Sequence, residues 1–126
     1  MKTIEILERP GFYETLYNSG DNLRNGISAA IKRLNIKARC FGYGSVWYLY
    51  FDSAPPENYR DVYRYRHSGG SQKEDAYRKH MLNRGVFIFP GRGTRSYINA
   101  GHTDRDIQIT VDAAVEFLAE HQSALH

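Results

Sequence analysis

The sequence carries one cysteine, four prolines and no long apolar run. A lone thiol, Cys40, excludes an internal disulfide, and a reducing cytoplasm is the simplest setting for it. Cys40 lies in an apolar stretch, where buried filler is the favoured role over nucleophile. No stretch reaches the roughly 20 apolar residues that a membrane-spanning helix needs. The N-terminal M-K-T-I-E-I-L-E-R-P has a glutamate where a signal peptide would be continuously apolar, so no export signal is expected. Internal repeats and low-complexity tracts are missing. So are a G-x-x-x-x-G-K-S/T phosphate loop and a serine in a nucleophile elbow.

What is present suits one globular domain spanning residues 1–126. The chain is long enough to bury a core. Hydrophobic residues make up 41% and charged residues 25%, which is ordinary for a globular protein. The net charge is +3, but the distribution is uneven. Arg60 to Arg95 holds nine basic and three acidic residues. A basic middle raises the question of a polyanion partner.

Periodicity organises the rest. Phe12, Leu16, Leu23, Ile27, Ile31 and Leu34 mark one face of a long helix, with Pro10 suited to its start. Ala38 to Phe41 and Val46 to Phe51 read as strands joined by a glycine-marked hairpin, and Pro55-Pro56 ends the second. Glu57 to Gly70 is expected to be irregular. Ser71 opens a helix, with Glu74 completing an S-x-x-E capping box, and Gly85 closes it. Val86 to Phe89 reads as a strand, G-R-G-T-R as a loop, and Tyr97 to Ala100 as a short strand. Thr103 caps the last helix, with Asp104 and Asp106 in its first turn and Ile107, Val111, Ala114 and Leu118 on its buried stripe. This order predicts an α+β two-layer domain: a small, mainly antiparallel sheet of three or four strands with helices on one face.

Three segments in this order resemble the C-terminal small domain of class III pyridoxal-phosphate-dependent aminotransferases, in particular the glutamate-1-semialdehyde aminomutase branch. They are E-I-L-E-R-P-G-F-Y-E-T-L with the following G-D-N-L-R-N-G-I; G-Y-G-S-V-W-Y-L-Y-F; and M-L-N-R-G-V-F-I-F-P with I-N-A-G-H-T-D-R-D-I. The resemblance covers nearly the whole chain. It implies that the cofactor-binding lysine, the acid facing the pyridine nitrogen and the phosphate-binding residues belong to a large domain outside these residues. Met1 is then expected near the passage from large to small domain, and the last helix near the family's end. The five lysines (Lys2, Lys32, Lys37, Lys73 and Lys79) stand in contexts unlike the family's imine-forming motif. No pyridoxal phosphate is therefore expected on the chain alone, although the parent family uses it, and the chain is expected to be non-catalytic by itself. Retained catalysis in trans with a separate large domain is a weaker option.

One departure stands out. The aminomutases typically carry a glutamate where this chain has Thr94, and the surrounding G-R-G-T-R is basic. In related aminotransferases an arginine of this domain binds the substrate carboxylate, a task suited to a planar guanidinium. Arg92 and Arg95 are the candidates, against the plainer role of solvated loop arginines. The face meeting a large domain, with Ile4, Ile6, Leu7 and Trp47, should be exposed and apolar, favouring self-association or a large-domain partner.

A competing reading is a small binding module. Tyr59, Tyr63 and Tyr65 alternate with Arg60, Arg64 and Arg66. Tyrosines stack on bases while arginines neutralise phosphates. No nucleic-acid-binding motif accompanies them, so nucleic acid is the disfavoured partner. His102 with Asp104 and Asp106 is better read as helix-cap chemistry than as a metal site. His121 and His126 lie in a stretch expected to fray.

Overall fold

The long apolar stripe forms the backbone of the fold. In the computed structural model, which describes residues 1–91 and 93–126, it lies on helix α2 (Phe12–Leu34), with Leu23 and Ile27 buried. A short helix α1 (Lys2–Leu7) precedes it. Pro10 does not open α2. It lies in the turn between the helices, and Gly11, at φ +78°, supplies the left-handed step that redirects the chain.

Strands β1 (Arg39–Phe41) and β2 (Val46–Tyr50) pair antiparallel, with Cys40 opposite Leu49. Strand β3 (Ser96–Tyr97) pairs antiparallel with β2, giving a three-stranded sheet in the order β1-β2-β3. The architecture is the expected α+β one. The β1–β2 turn is pinned to α2 from two sides. An added Cβ at Gly20 would lie 2.0 Å from the Gly44 carbonyl oxygen, so only glycine allows this approach. One turn on, Arg24 Nη1 donates to the carbonyls of Gly44 at 2.9 Å and Val46 at 2.8 Å.

Helices α3 (Tyr59–Tyr65), α4 (Ser71–Asn83) and α5 (Asp104–Glu120) complete the fold. Helix α5 packs mainly on α2 and α4. Its N-terminus carries a full capping box: Thr103 Oγ1 accepts from the Asp106 amide, and the Asp106 carboxylate accepts from the Thr103 amide at 2.8 Å. Trp47, Leu49, Phe51, Tyr77, Met81, Phe117 and Leu118 fill the core between sheet and helices.

Several expectations need correction. Glu57 to Gly70 is not irregular throughout: Asn58 caps α3 by accepting from the Asp61 amide at 3.2 Å. Residues Arg66–Gly70 join α3 to α4 through a kink, with Gly69 at φ +103°. Gly70, just before Ser71, is already helical, so α4 has no side-chain cap and the Ser71–Glu74 capping box does not form. Val86 to Phe89 forms no strand among the described residues. The run is half-buried: Ile88 is 5% exposed, whereas Phe87 and Phe89 are 67% and 72% exposed. Trp47 is buried at 2% exposure and lies on no open apolar face. Ile4 is exposed as expected, whereas Ile6 and Leu7 are half-buried rather than open.

Candidate functional site

The loop after Pro90 carries two glycines, Gly91 and Gly93, and is held by one of its own side chains and by one from α4. Thr94 is 2% exposed. Its hydroxyl accepts from the Leu49 amide at 3.1 Å and donates to the Leu49 carbonyl, so a side chain takes the place of a strand partner beside β2. From the other side, Arg78 on α4 donates through Nη2 to the carbonyls of Gly91, at 2.8 Å, and Gly93. Its Nη1 donates to Asp75 at 2.8 Å, and Glu74 Oε2 lies 3.6 Å from Nη2.

Glu74 is a buried acid, 5% exposed. Burial raises its carboxyl above the usual carboxylate range, against the opposing pull of Arg78, a hydrogen bond from the Tyr65 hydroxyl, and Arg66. The four-residue step from Glu74 to Arg78 places both side chains on one face of α4. That spacing was the available signal for this pair, and the same glutamate also fits the capping pattern that diverted it.

The carboxylate candidates separate. Arg92 lies outside the described residues. Arg95 is exposed, with its guanidinium carbon 6.0 Å from the centre of the Tyr97 ring, within the range for a cation–π contact. Thr94 is enclosed by its Leu49 bonds and offers nothing to a ligand.

The tyrosine-arginine alternation separates too. Tyr59, Arg60, Tyr63 and Arg64 are exposed. With His67 and Ser68 they line an open cleft of about 620 Å³, in which His67 stacks on Tyr63 with ring centres 3.9 Å apart. Tyr65 does not belong to this surface. It is 5% exposed, its ring centre is 4.1 Å from that of Tyr50, and its hydroxyl accepts from the Phe51 amide at 3.4 Å. A stacking platform must be open, so Tyr65 is a core residue. Arg66 is half-buried in a second cleft, beside Glu74, Asp75 and Arg78. The helical period, not the sequence alternation, decides which side chains share a face, and it breaks the basic-aromatic ladder.

Other titratable groups hold structural positions. Cys40 is half-buried, and burial pushes its thiol up to about 12, which opposes thiolate formation. His102 Nδ1 accepts from the Asn99 amide at 3.0 Å, next to the α5 cap. His80 is buried, with Nε2 3.0 Å from the Ala113 carbonyl. Among the described residues, no group of three His, Cys, Asp or Glu side chains is arranged to hold a metal ion. No helix among them is long and apolar enough to cross a membrane.

No family model matches the chain. Curated relatives do. It is 36% identical over 119 residues to the glutamate-1-semialdehyde 2,1-aminomutase of Neisseria gonorrhoeae, covering 92% of this chain and 26% of that enzyme. It is 30% identical over 119 residues to the enzyme of the same name from Laribacter hongkongensis, covering 94% of this chain and 27% of that one. Over nearly its whole length the chain is similar to one part of the glutamate-1-semialdehyde 2,1-aminomutases. It spans about a quarter of the length of these relatives. Solved aminotransferase-family structures share the fold. A glutamate-1-semialdehyde aminomutase from Pseudomonas aeruginosa superposes with a TM-score of 0.77 at 18% identity, over 89% of this chain and 24% of that one. A β-phenylalanine aminotransferase from Variovorax paradoxus gives a TM-score of 0.75 at 20% identity, over 88% and 24%. The aminotransferase relationship offers no support for the polyanion-binding reading.

Proposed function

We propose that these 126 residues are the small C-terminal domain of a class III aminotransferase and do not transfer amino groups by themselves. The observation that carries this reading is the span of the match: nearly all of this chain against a quarter of each relative. Amino-group transfer on pyridoxal phosphate requires a lysine amine for the imine and protein groups that tune the cofactor's ring. The residues present do not fit that group. Lys2, Lys32, Lys37 and Lys79 are exposed and Lys73 is half-buried, so none sits in a desolvated pocket. The buried acid among the described residues, Glu74, is engaged by Arg78 and by the Tyr65 hydroxyl.

In the whole enzyme, the Gly91–Arg95 loop would face the carboxylate of the substrate, with Arg92 or Arg95 supplying the guanidinium. Thr94 stands where the aminomutases typically carry a glutamate, a departure that bears on the aminomutase assignment and not on the broader family. The partner is the catalytic large domain, or a second copy, meeting exposed apolar side chains such as Ile4, Leu82, Phe87 and Phe89. A reducing cytoplasm suits the lone half-buried thiol.

The test is an amino-transfer assay on the 126-residue chain with pyridoxal phosphate, an amino donor and a keto-acid acceptor. Product formation no faster than with cofactor alone is expected. Turnover that scales with the chain's concentration would overturn the reading.

A further inference from the structure

The Gly91–Arg95 loop has little of its own to hold it. Among the described residues, none from Phe87 to Gly93 makes a backbone-to-backbone hydrogen bond. Two glycines, one of them at φ +88°, remove the torsional restraint that side chains would impose. The loop is held by the Thr94 clip on Leu49 at one end, by the Arg78 guanidinium beneath Gly91 and Gly93, and by the Gly93 amide donating to the Glu74 carboxylate.

Arg78 is itself held. Its side chain is 14% exposed and lies against two carboxylates, Asp75 at 2.8 Å and Glu74 at 3.6 Å. A planar guanidinium with donors in a fixed fork can serve two carbonyls and a carboxylate at once, which the single ammonium of lysine cannot do with the same geometry. We propose that Arg78 is the positioning residue of the Gly91–Arg95 loop: seated on Glu74 and Asp75, it fixes the carbonyls of Gly91 and Gly93 and so sets where Arg95 meets a carboxylate ligand. The ligand class rests on the proposed role of the loop; the positioning rests on the hydrogen bonds. Recognition of a carboxylate by a guanidinium tolerates displacement of only about 0.5 Å, so a loop with two glycines needs such a brace.

Nuclear magnetic resonance on the labelled 126-residue chain tests this. In the wild type, the backbone order parameters of Gly91 and Gly93 should be near the rigid value of about 0.85, and in Arg78→Lys they should fall below about 0.6. Exchange of the Leu49 amide, which reports the Thr94 clip, should change by less than about threefold. A merely structural role would raise exchange at Leu49 and Phe117 as much as in the loop, and would lower the melting temperature with it. If Arg78→Lys does not fold, the wild-type arginine decides. Separate, slowly rotating Nη–H signals support the brace, and averaged signals overturn it. Glycines already mobile in the wild type, or equally rigid in Arg78→Lys, also overturn it. Neither result touches the non-catalytic reading, which fails only if the chain turns over substrate.

Discussion

Removing the hydroxyl of Tyr77 should stabilise this protein. Tyr77 is 0% exposed, with its ring centre 5.8 Å from that of Phe51 and 5.5 Å from that of Phe117. Its hydroxyl has no hydrogen-bond partner among the described residues. A buried donor left unpaired costs about 1–3 kcal/mol. Tyr77→Phe keeps the ring and both edge-to-face contacts and deletes the orphan. The oxygen-sized gap returns part of that gain, since a methyl-sized void costs about 1 kcal/mol. The net expectation is a gain of about 1 kcal/mol, or a rise in melting temperature of roughly 3–5 °C for a chain of this size. Urea titration and calorimetry at neutral pH measure it. A second arm uses alkali. Burial lifts the Tyr77 phenol well above its ordinary value of 10.0. The folded chain keeps that proton while the unfolded chain loses it, so the stability contribution is intact below about pH 10 and declines as the pH rises further. Tyr77→Phe should shallow that decline. A loss of 1 kcal/mol or more at neutral pH would refute the reasoning, because it would mean the hydroxyl has a partner, such as a buried water.

Two further substitutions probe how the loops and termini are held. Gly20→Ala drives a Cβ into the Gly44 carbonyl at 2.0 Å; backbone meets backbone, so a loss of about 2–3 kcal/mol is expected, read from the urea midpoint, with the β1–β2 turn displaced. Thr103→Ala removes the oxygen that accepts from the Asp106 amide at 3.2 Å and should cost about 1 kcal/mol, with faster amide exchange confined to the first turn of α5.

The sequence was most legible where one physical cause makes the pattern. The stripe from Phe12 to Leu34 has a single explanation, a half-buried helix, and α2 follows it. Thr103 with Asp106 likewise forms the cap that its residues imply. Legibility failed where two causes give the same pattern. Ser71 and Glu74 have capping-box spacing, but the helical Gly70 leaves no free terminus to cap, and the glutamate turns inward. Val86 to Phe89 is a short apolar run, and an apolar run says nothing about a ladder partner. The Tyr59–Arg66 segment alternates tyrosine and arginine in sequence, but most of it folds as a helix, whose period puts neighbours in sequence on different faces. The Asn58-to-Asp61 spacing was a local signal for that helix, and Tyr65 turns into the core as a result. Of the candidate site, the Gly91–Arg95 loop was found by resemblance, whereas its brace was not. Arg78 is thirteen residues from Gly91 and fifteen from Gly93, and no periodicity joins a helix to a loop over that separation.

Imine trapping decides most plainly whether these residues lack the chemistry of a whole aminotransferase. The chain is mixed with pyridoxal phosphate, reduced with borohydride, and weighed intact, with peptide mapping of Lys2, Lys32, Lys37, Lys73 and Lys79. Only scattered, substoichiometric labelling is expected, as for any exposed amine. A single lysine labelled one-to-one, with labelling blocked by an amino-acid substrate, would contradict the non-catalytic assignment outright.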